Sequence, residues 1–227
     1  MSSKGRKSLR QAQGEETRAT LLRTGARLFA QNGYNGVSMR TLAAEAGVNL
    51  ATVSYHFGGK SGLYEAIIRE IVIVRDQIFP PLEEVEARLA DADATPEARG
   101  EVVDWFMGTI MDGLLGPTDY VWGTVIISRE LVHPTELYPK LEAAFFNPNL
   151  DALAALVRGT AAHCLGETDA IITGHLIINT VIKLLEGQFL LCKRLGWASY
   201  EGHIEAIEAI VKTRIRGLLG LPMENMQ

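Results

Sequence analysis

The chain has 227 residues, of which 47% are apolar and 22% charged, and only two cysteines, Cys164 and Cys192. That composition supports a buried core and excludes disordered, collagen-like and disulfide-framed proteins. The formal net charge of −5 conceals a split: residues 1–60 hold 9 Lys+Arg against 3 Asp+Glu, and residues 61–227 hold 13 against 24. A basic head on an acidic body suits a head that meets a polyanion, although a solvated Lys/Arg-rich tail gives the same count.

Residues 1–14 are polar and basic, without the apolar run of a secretory leader, and are expected to form a flexible basic tail. Lys4, Arg6, Lys7 and Arg10 there could enter a minor groove or simply neutralise phosphates, and an untethered tail is the more common case. Leu22, Ala26 and Phe29 fall at i, i+4 and i+7, one face of a helix that stops at Asn32-Gly33. Ser38 is a good N-cap for a short helix carrying Leu42, Ala43 and Ala46, and Gly47 suits the left-handed position that ends it. Asn49 caps a second short helix with Val53 and Phe57 inside, and Gly58-Gly59 breaks it. Ser61 opens a longer helix with Leu63, Ile67, Ile68 and Ile71 at helical spacing.

Pro80-Pro81 interrupts or ends this fourth helix. Glu83 to Arg99 is charged and Ala-rich, with Thr95-Pro96 as cap and first turn. Further helices are expected near 97–114, 119–132, 135–146, 149–165, 168–195 and 200–219, separated by Gly116-Pro117, His133-Pro134, Asn147-Pro148, Gly166 and Gly196. No alternating strand pattern stands out, so the expected class is all-α. The most apolar segment, Ala170 to Ile182, contains His175 and Asn179 and precedes Lys183. It reads as too short and too polar to span a bilayer, so a cytosolic chain with no membrane partner is expected.

The two short helices around Ala46-Gly47-Val48 carry the function. A tight turn with Gly sets the second helix steeply across the first, and small Ala43 and Ala46 permit the approach. The outer face of the second helix is then free to enter a major groove. Leu50 and Ala51 are small or apolar enough to touch a thymine methyl, and Thr52 can bond a base edge or a phosphate. Tyr55, His56 and Lys60 can reach the backbone on one side, and Ser38 and Thr41 on the other. Arg40 is the best reader of guanine, because a guanidinium grips O6 and N7 together. An ordinary helix pair in a bundle core would not explain why this geometry coincides with the basic region.

The marks "FAQNGY", "LAAEAGV", "SYHF" and "GKSGLY" resemble the TetR family of bacterial transcriptional regulators, over about a fifth of the chain. The family pattern implies a three-helix N-terminal helix-turn-helix domain, here residues 15–60, followed by a larger helical ligand-binding and dimerisation domain, here 61–227. It also implies DNA contacts at Ser38, Arg40, Leu50, Ala51, Thr52, Tyr55, His56 and Lys60. The usual motif has Ser where Asn49 stands and often an aromatic where Ser54 stands, which shifts weight from position 54 to Tyr55. "VNLATVSYHFGGKSGLY" with "SRELVHPTELYPKL" is similar to the CecR-like group of this family.

The resemblance implies a homodimer joined through the last two long helices. Ile171, Leu176, Ile178, Ile182, Leu185 and Phe189, with Ile204, Ile207, Val211 and Ile215, exceed what one inner face requires, which favours an interface over burial of both faces within one chain. The palindromic reading of double-stranded DNA that such a dimer allows solves the small footprint of one helix. Regulation would come from a small-molecule effector in a concave, mostly apolar site that tilts the fourth helix. Its lining is sought among Trp105, Phe106, Met107, Ile110, Trp122, Ile126, Arg129, Phe145, Phe146, Asn179, Lys183 and Glu186, most of which also have a plain core reading.

Gly59-Lys60-Ser61 mimics the end of a phosphate-binding loop, but position 54 is Ser where a Gly is needed, and a helix precedes it instead of a strand. Glu130 and His133 make one Glu-x-x-His pair where a di-metal bundle needs two, so no cofactor or metal is expected. The expected protein is a non-enzymatic repressor. Two rivals stay open at this point: a regulator without a small-molecule effector, either an activator or controlled by a protein partner, and a helical-bundle enzyme or drug-binding protein with an incidental head.

Overall fold

The computed structural model describes residues 3–115 and 121–223. Among them are twelve α-helices, one π-helical turn and no strand, the all-α class that the periodicity predicts. The expected break at Gly116-Pro117 lies outside the described residues. Two compact units emerge, residues 1–73 with 120–139 and residues 74–119 with 140–227. Residue 60 is therefore not where the contacts divide the chain: the first unit also takes most of the fourth helix and a later helix.

In the first unit, α1 spans Ser3–Asn32, α2 Met39–Glu45 and α3 Leu50–Phe57. The segment expected as a loose tail is helical from Ser3 onward, since Lys, Arg, Leu, Gln and Ala there all favour helix. The side chains of Lys4, Arg6, Lys7 and Arg10 lie outside the described residues. The inner face of α1 is Leu21, Gly25, Leu28 and Phe29, while Leu22 and Ala26 are half-buried at its margin. Gly25 is a point of close approach. A Cβ there would stand 3.0 Å from Leu63 and Ile67 of α4, which spans Lys60–Ile78. Helix α7, Val121–Val132, packs on α1 and carries the buried Ile126, and its Gly123 faces Ile71 of α4.

The second unit holds α5 (Leu82–Asp91), α6 (Pro96–Leu115), the end of α8 (Tyr138–Leu141), the π turn (Glu142–Phe146), α9 (Asn147–Thr160), α10 (Glu167–Glu186), α11 (Gln188–Leu195) and α12 (Ile204–Leu218). Thr95 caps α6 by accepting from the Ala98 amide at 3.2 Å. Asn147-Pro148 does not separate two helices as expected. The π turn widens the backbone just before it, with Asn147 N–H donating to Glu142 O, so proline enters at the first turn of α9 without leaving a ladder donor missing. Conversely, the expected helix 168–195 breaks at Gly187 into α10 and α11. At 20 residues α10 is longer than its apolar segment suggested, and by length and composition alone it could cross a bilayer. Its Ala170, Gly174, Ile177, Ile178 and Val181 are nevertheless buried, and a Cβ on Gly174 would stand 3.0 Å from Leu153 of α9.

Several expected interface residues are core. Ile178 on α10 is buried inside its own chain, and so are Ile207, Val211 and Ile215, because α12 turns this stripe onto the core beside α6. Ile182, Leu185 and Ile204 are half-buried against the same core. Ile171, Leu176 and Phe189 do stand exposed, together with Ile172, Leu190, Ile210 and Leu218.

An ion pair ties α12 to α6. Arg216, 6% exposed, donates from Nε to Asp104 Oδ1 at 2.9 Å and from Nη2 to Asp104 Oδ2, and from Nη1 to Pro222 O at 3.3 Å. Gly100 makes the room, since a Cβ there would stand 2.8 Å from the guanidinium carbon. Removing one partner of a buried pair leaves the other charge uncompensated. Asp104→Asn is expected to lower unfolding free energy in urea by about 3 kcal/mol. A loss within error would show that the pair does not hold α12.

Candidate nucleic-acid interface

The geometry of α2 and α3 follows from two side-chain caps and two glycines. Ser38 Oγ accepts from Thr41 N–H at 3.0 Å and pairs with Thr41 Oγ1 at 2.8 Å, fixing the start of α2. Gly47 sits at φ +65°, and Gly47 and Val48 donate back to Ala44 O and Ala43 O, closing the end. Asn49 Oδ1 then accepts from both the Thr52 amide (2.8 Å) and the Thr52 hydroxyl (2.9 Å), opening α3. Gly58, at φ +73°, ends it.

This short helix has one inner residue, Val53, with no exposed surface. Its outer face is Leu50, Ala51, Ser54 and Tyr55, all exposed, with Tyr55 reaching 85%. Thr52 and His56 flank that face and are half-buried. The Thr52 hydroxyl hydrogen is already committed to Asn49, so only its lone pairs face outward. The family motif often has an aromatic where Ser54 stands. The spacing of Ser54 from Leu50 and Ala51, four and three residues, puts it in the middle of the outer face. Ser38, Arg40 and Thr41 are exposed at the start of α2, beside this face in sequence but on a different helix.

The cations of this unit are partly spent inside it. Lys60 was expected at a backbone phosphate. Its Nζ instead donates to Tyr34 O and Val37 O, both at 3.0 Å, and lies 4.3 Å from the Tyr34 ring centroid. The loop 33–38 leaves carbonyls without helical partners, and an ammonium on a flexible four-carbon stem satisfies two of them. Arg27 pairs with Glu45 at 2.6 Å, Arg18 lies over Phe57, and Arg129 donates to the end of α1. Arg23 and Arg40 are exposed.

The residues expected to line an effector site do not gather within one unit. Trp122, Ile126 and Arg129 belong to the first and the other nine to the second. Phe106, Met107 and Ile110 are fully packed in the core. Trp105 is covered by the Arg88 guanidinium at 3.9 Å, and Phe145 meets Phe79 and Phe146 edge-on. Asn179 bonds back to His175, and Lys183 is exposed and pairs with Glu186 one turn on, so it does not face an apolar interior. The first unit does contain a cleft of about 680 Å³, lined by residues 32–36, Tyr64, Arg129, Glu130 and residues 133–136. Of the twelve candidates only Arg129 borders it. Glu130 beside it is 1% exposed and accepts from Tyr64 Oη at 2.6 Å, from the Thr135 amide at 3.0 Å and from Thr135 Oγ1. Burial and this carboxylate push the Tyr64 phenol far up, so it stays a donor.

Residues 21–67 match the family model described as bacterial regulatory proteins of the tetR family. Residues 101–221 match the C-terminal domain of the HTH-type transcriptional dual regulator CecR. The CecR protein of Shigella flexneri is 27% identical over 189 residues, covering 83% of this chain and 84% of that one. The transcriptional repressor KstR2 of Rhodococcus jostii is 32% identical over 81 residues, 36% and 38% of the two chains. Among solved structures, the hemolysin II transcriptional regulator HlyIIR superposes with a TM-score of 0.59 at 17% identity, covering 90% of this chain and 97% of that one, which shows the shared fold. With an outward-facing α3 on a helix-turn-helix and a C-terminal part matched along most of its length, the chain belongs to the TetR family of bacterial regulatory proteins and is a DNA-binding regulator of transcription.

Proposed function

We propose that the protein is a homodimeric repressor that lays two copies of α3 in successive major grooves of a two-fold operator and releases it when an effector binds. The observation that carries this reading is the sidedness of α3. Val53 is sealed inside, while Tyr55, Leu50 and Ala51 are left in water, an arrangement that costs solvation unless another surface covers them. A major groove is wide enough for such a helix and offers phosphates to Tyr55 and methyl groups to Leu50 and Ala51.

The dimer is supported by apolar residues that their own chain leaves uncovered: Ile171, Ile172 and Leu176 on α10 and Ile210 and Leu218 on α12. Ile172, Leu176 and Thr180 follow at intervals of four, one stripe of α10. Effector control needs only a difference in affinity between two poses, typically about 1–3 kcal/mol. Helix α4 is suited to carry it, because it begins in one unit at Lys60 and ends in the other at Ile78. The effector site belongs, in this reading, among the half-buried aromatics of the second unit, Trp105, Phe145 and Phe146.

Arg40→Ala is expected to relax base preference at one position per half-site, costing about 1–3 kcal/mol there. Equal losses across all sequences in a selection from random duplexes would contradict base reading. Lys60→Met is expected to destabilise the fold by about 2 kcal/mol through two lost charge-assisted bonds. It should leave the salt slope of binding unchanged, since the Lys60 ammonium is held on the Tyr34 and Val37 carbonyls; a flatter slope would put it at the backbone. Ile172→Glu with Ile210→Glu should convert a species of about twice 24.8 kDa into the 24.8 kDa monomer in sedimentation equilibrium. An unchanged mass would move the interface elsewhere.

A further inference from the structure

We infer that Arg129 and Glu130, neighbours on α7, are positioning residues that set the pose of the DNA-reading helix α3. Residues 39–57 form an excursion that leaves the helical framework at the end of α1 and rejoins it at the start of α4. Both points of departure are gripped from α7. Arg129 donates from Nε to Ala30 O at 2.7 Å and from Nη2 to Gln31 O at 2.9 Å, capping the last turn of α1. Glu130 accepts from Tyr64 Oη at 2.6 Å, one turn into α4. Consecutive helical residues point about 100° apart, so one helix can hold two others only if it lies in the groove between them. The contacts agree, with α7 packed on α1 and Gly123 against Ile71 of α4.

Side-chain bonds add direction to this packing and fix where the two ends sit. The cleft of about 680 Å³ runs alongside the loop 33–36 and the turn 133–136, so neither segment is braced on that side. Glu130 is buried and accepts from Tyr64 and Thr135, and a buried carboxylate so held has one good position. The two anchor points are also joined to each other, by Lys60 to Tyr34 O and by the Tyr34 and Tyr64 rings at 4.9 Å. A displacement of α7 therefore moves both ends of the excursion together and turns α3 as a unit.

The inference rests on α3 reading DNA in a two-fold assembly, so the test separates the two. Full-length wild type, Arg129→Met, Glu130→Gln and Tyr64→Phe are assayed on the duplex selected by wild type from a random pool. They are also assayed on duplexes with the half-sites one base pair closer or farther. Thermal melting and sedimentation give the folded, assembled fraction used to normalise affinity. Tyr64→Phe guards against misfolding, since its ring stays in the aromatic cluster while the bond to Glu130 is lost. Affinity on the selected duplex is expected to fall about 3- to 30-fold, and less on the altered spacings, so that discrimination between spacings narrows in all three variants. Equal loss on every duplex, or no loss, overturns the inference while leaving DNA reading intact. A wild type that selects no sequence overturns both.

Discussion

A helix that reads a groove must keep its outer face bare, and so has almost nothing with which to hold itself in place. In α2 and α3 together only Leu42, Ala43 and Val53 are buried. Three small-to-medium side chains cannot offset the cost of ordering this excursion. Its shape therefore has to come from caps, from left-handed glycines and from bonds at its two ends. Ser38 and Asn49 supply the caps, Gly47 and Gly58 the turns, and α1, α4 and α7 the ends.

The same constraint explains the use of charge in the first unit. An excess of cations near DNA invites the view that each of them meets a phosphate. Lys60, Arg27, Arg18 and Arg129 instead close carbonyls, a carboxylate and a ring within the unit. Long-range attraction survives, because an internally bonded cation still contributes to the field. Fewer cations keep an exposed head, Arg23 and Arg40 among them. Charge thus does two tasks here, and a count of residues cannot apportion them.

In the second unit the demands are reversed. Helix α9 is surrounded by α5, α6 and α10, and α12 is fastened to α6 by Arg216. Apolar stripes on α10 and α12 each have an inner side filled by their own chain and an outer side with Ile172, Leu176 and Ile210 in water. The inner side is a matter of folding, and the outer side is left uncovered by the chain itself. Charging Ile207 would confuse the two, because it is core.

What could be read from the residues alone were the features set by local chemistry. Ser38, Gly47, Asn49 and Gly58 announce caps and turns wherever they stand, and the all-α class follows from a period of 3.6 that needs no partner to be seen. The outer face of α3 was legible for the same reason, since a single buried Val53 fixes which side faces out. Tertiary structure alone decided which of two apolar sides on α10 and α12 is core, because both sides carry the same residue types. It alone turned Lys60 and Arg129 inward, because a cation's partner lies across the fold, 23 to 26 residues away for one and 98 to 99 for the other. It also drew α7 into the unit that holds α1 to α3, since hydrogen bonds between distant segments leave no trace in local periodicity.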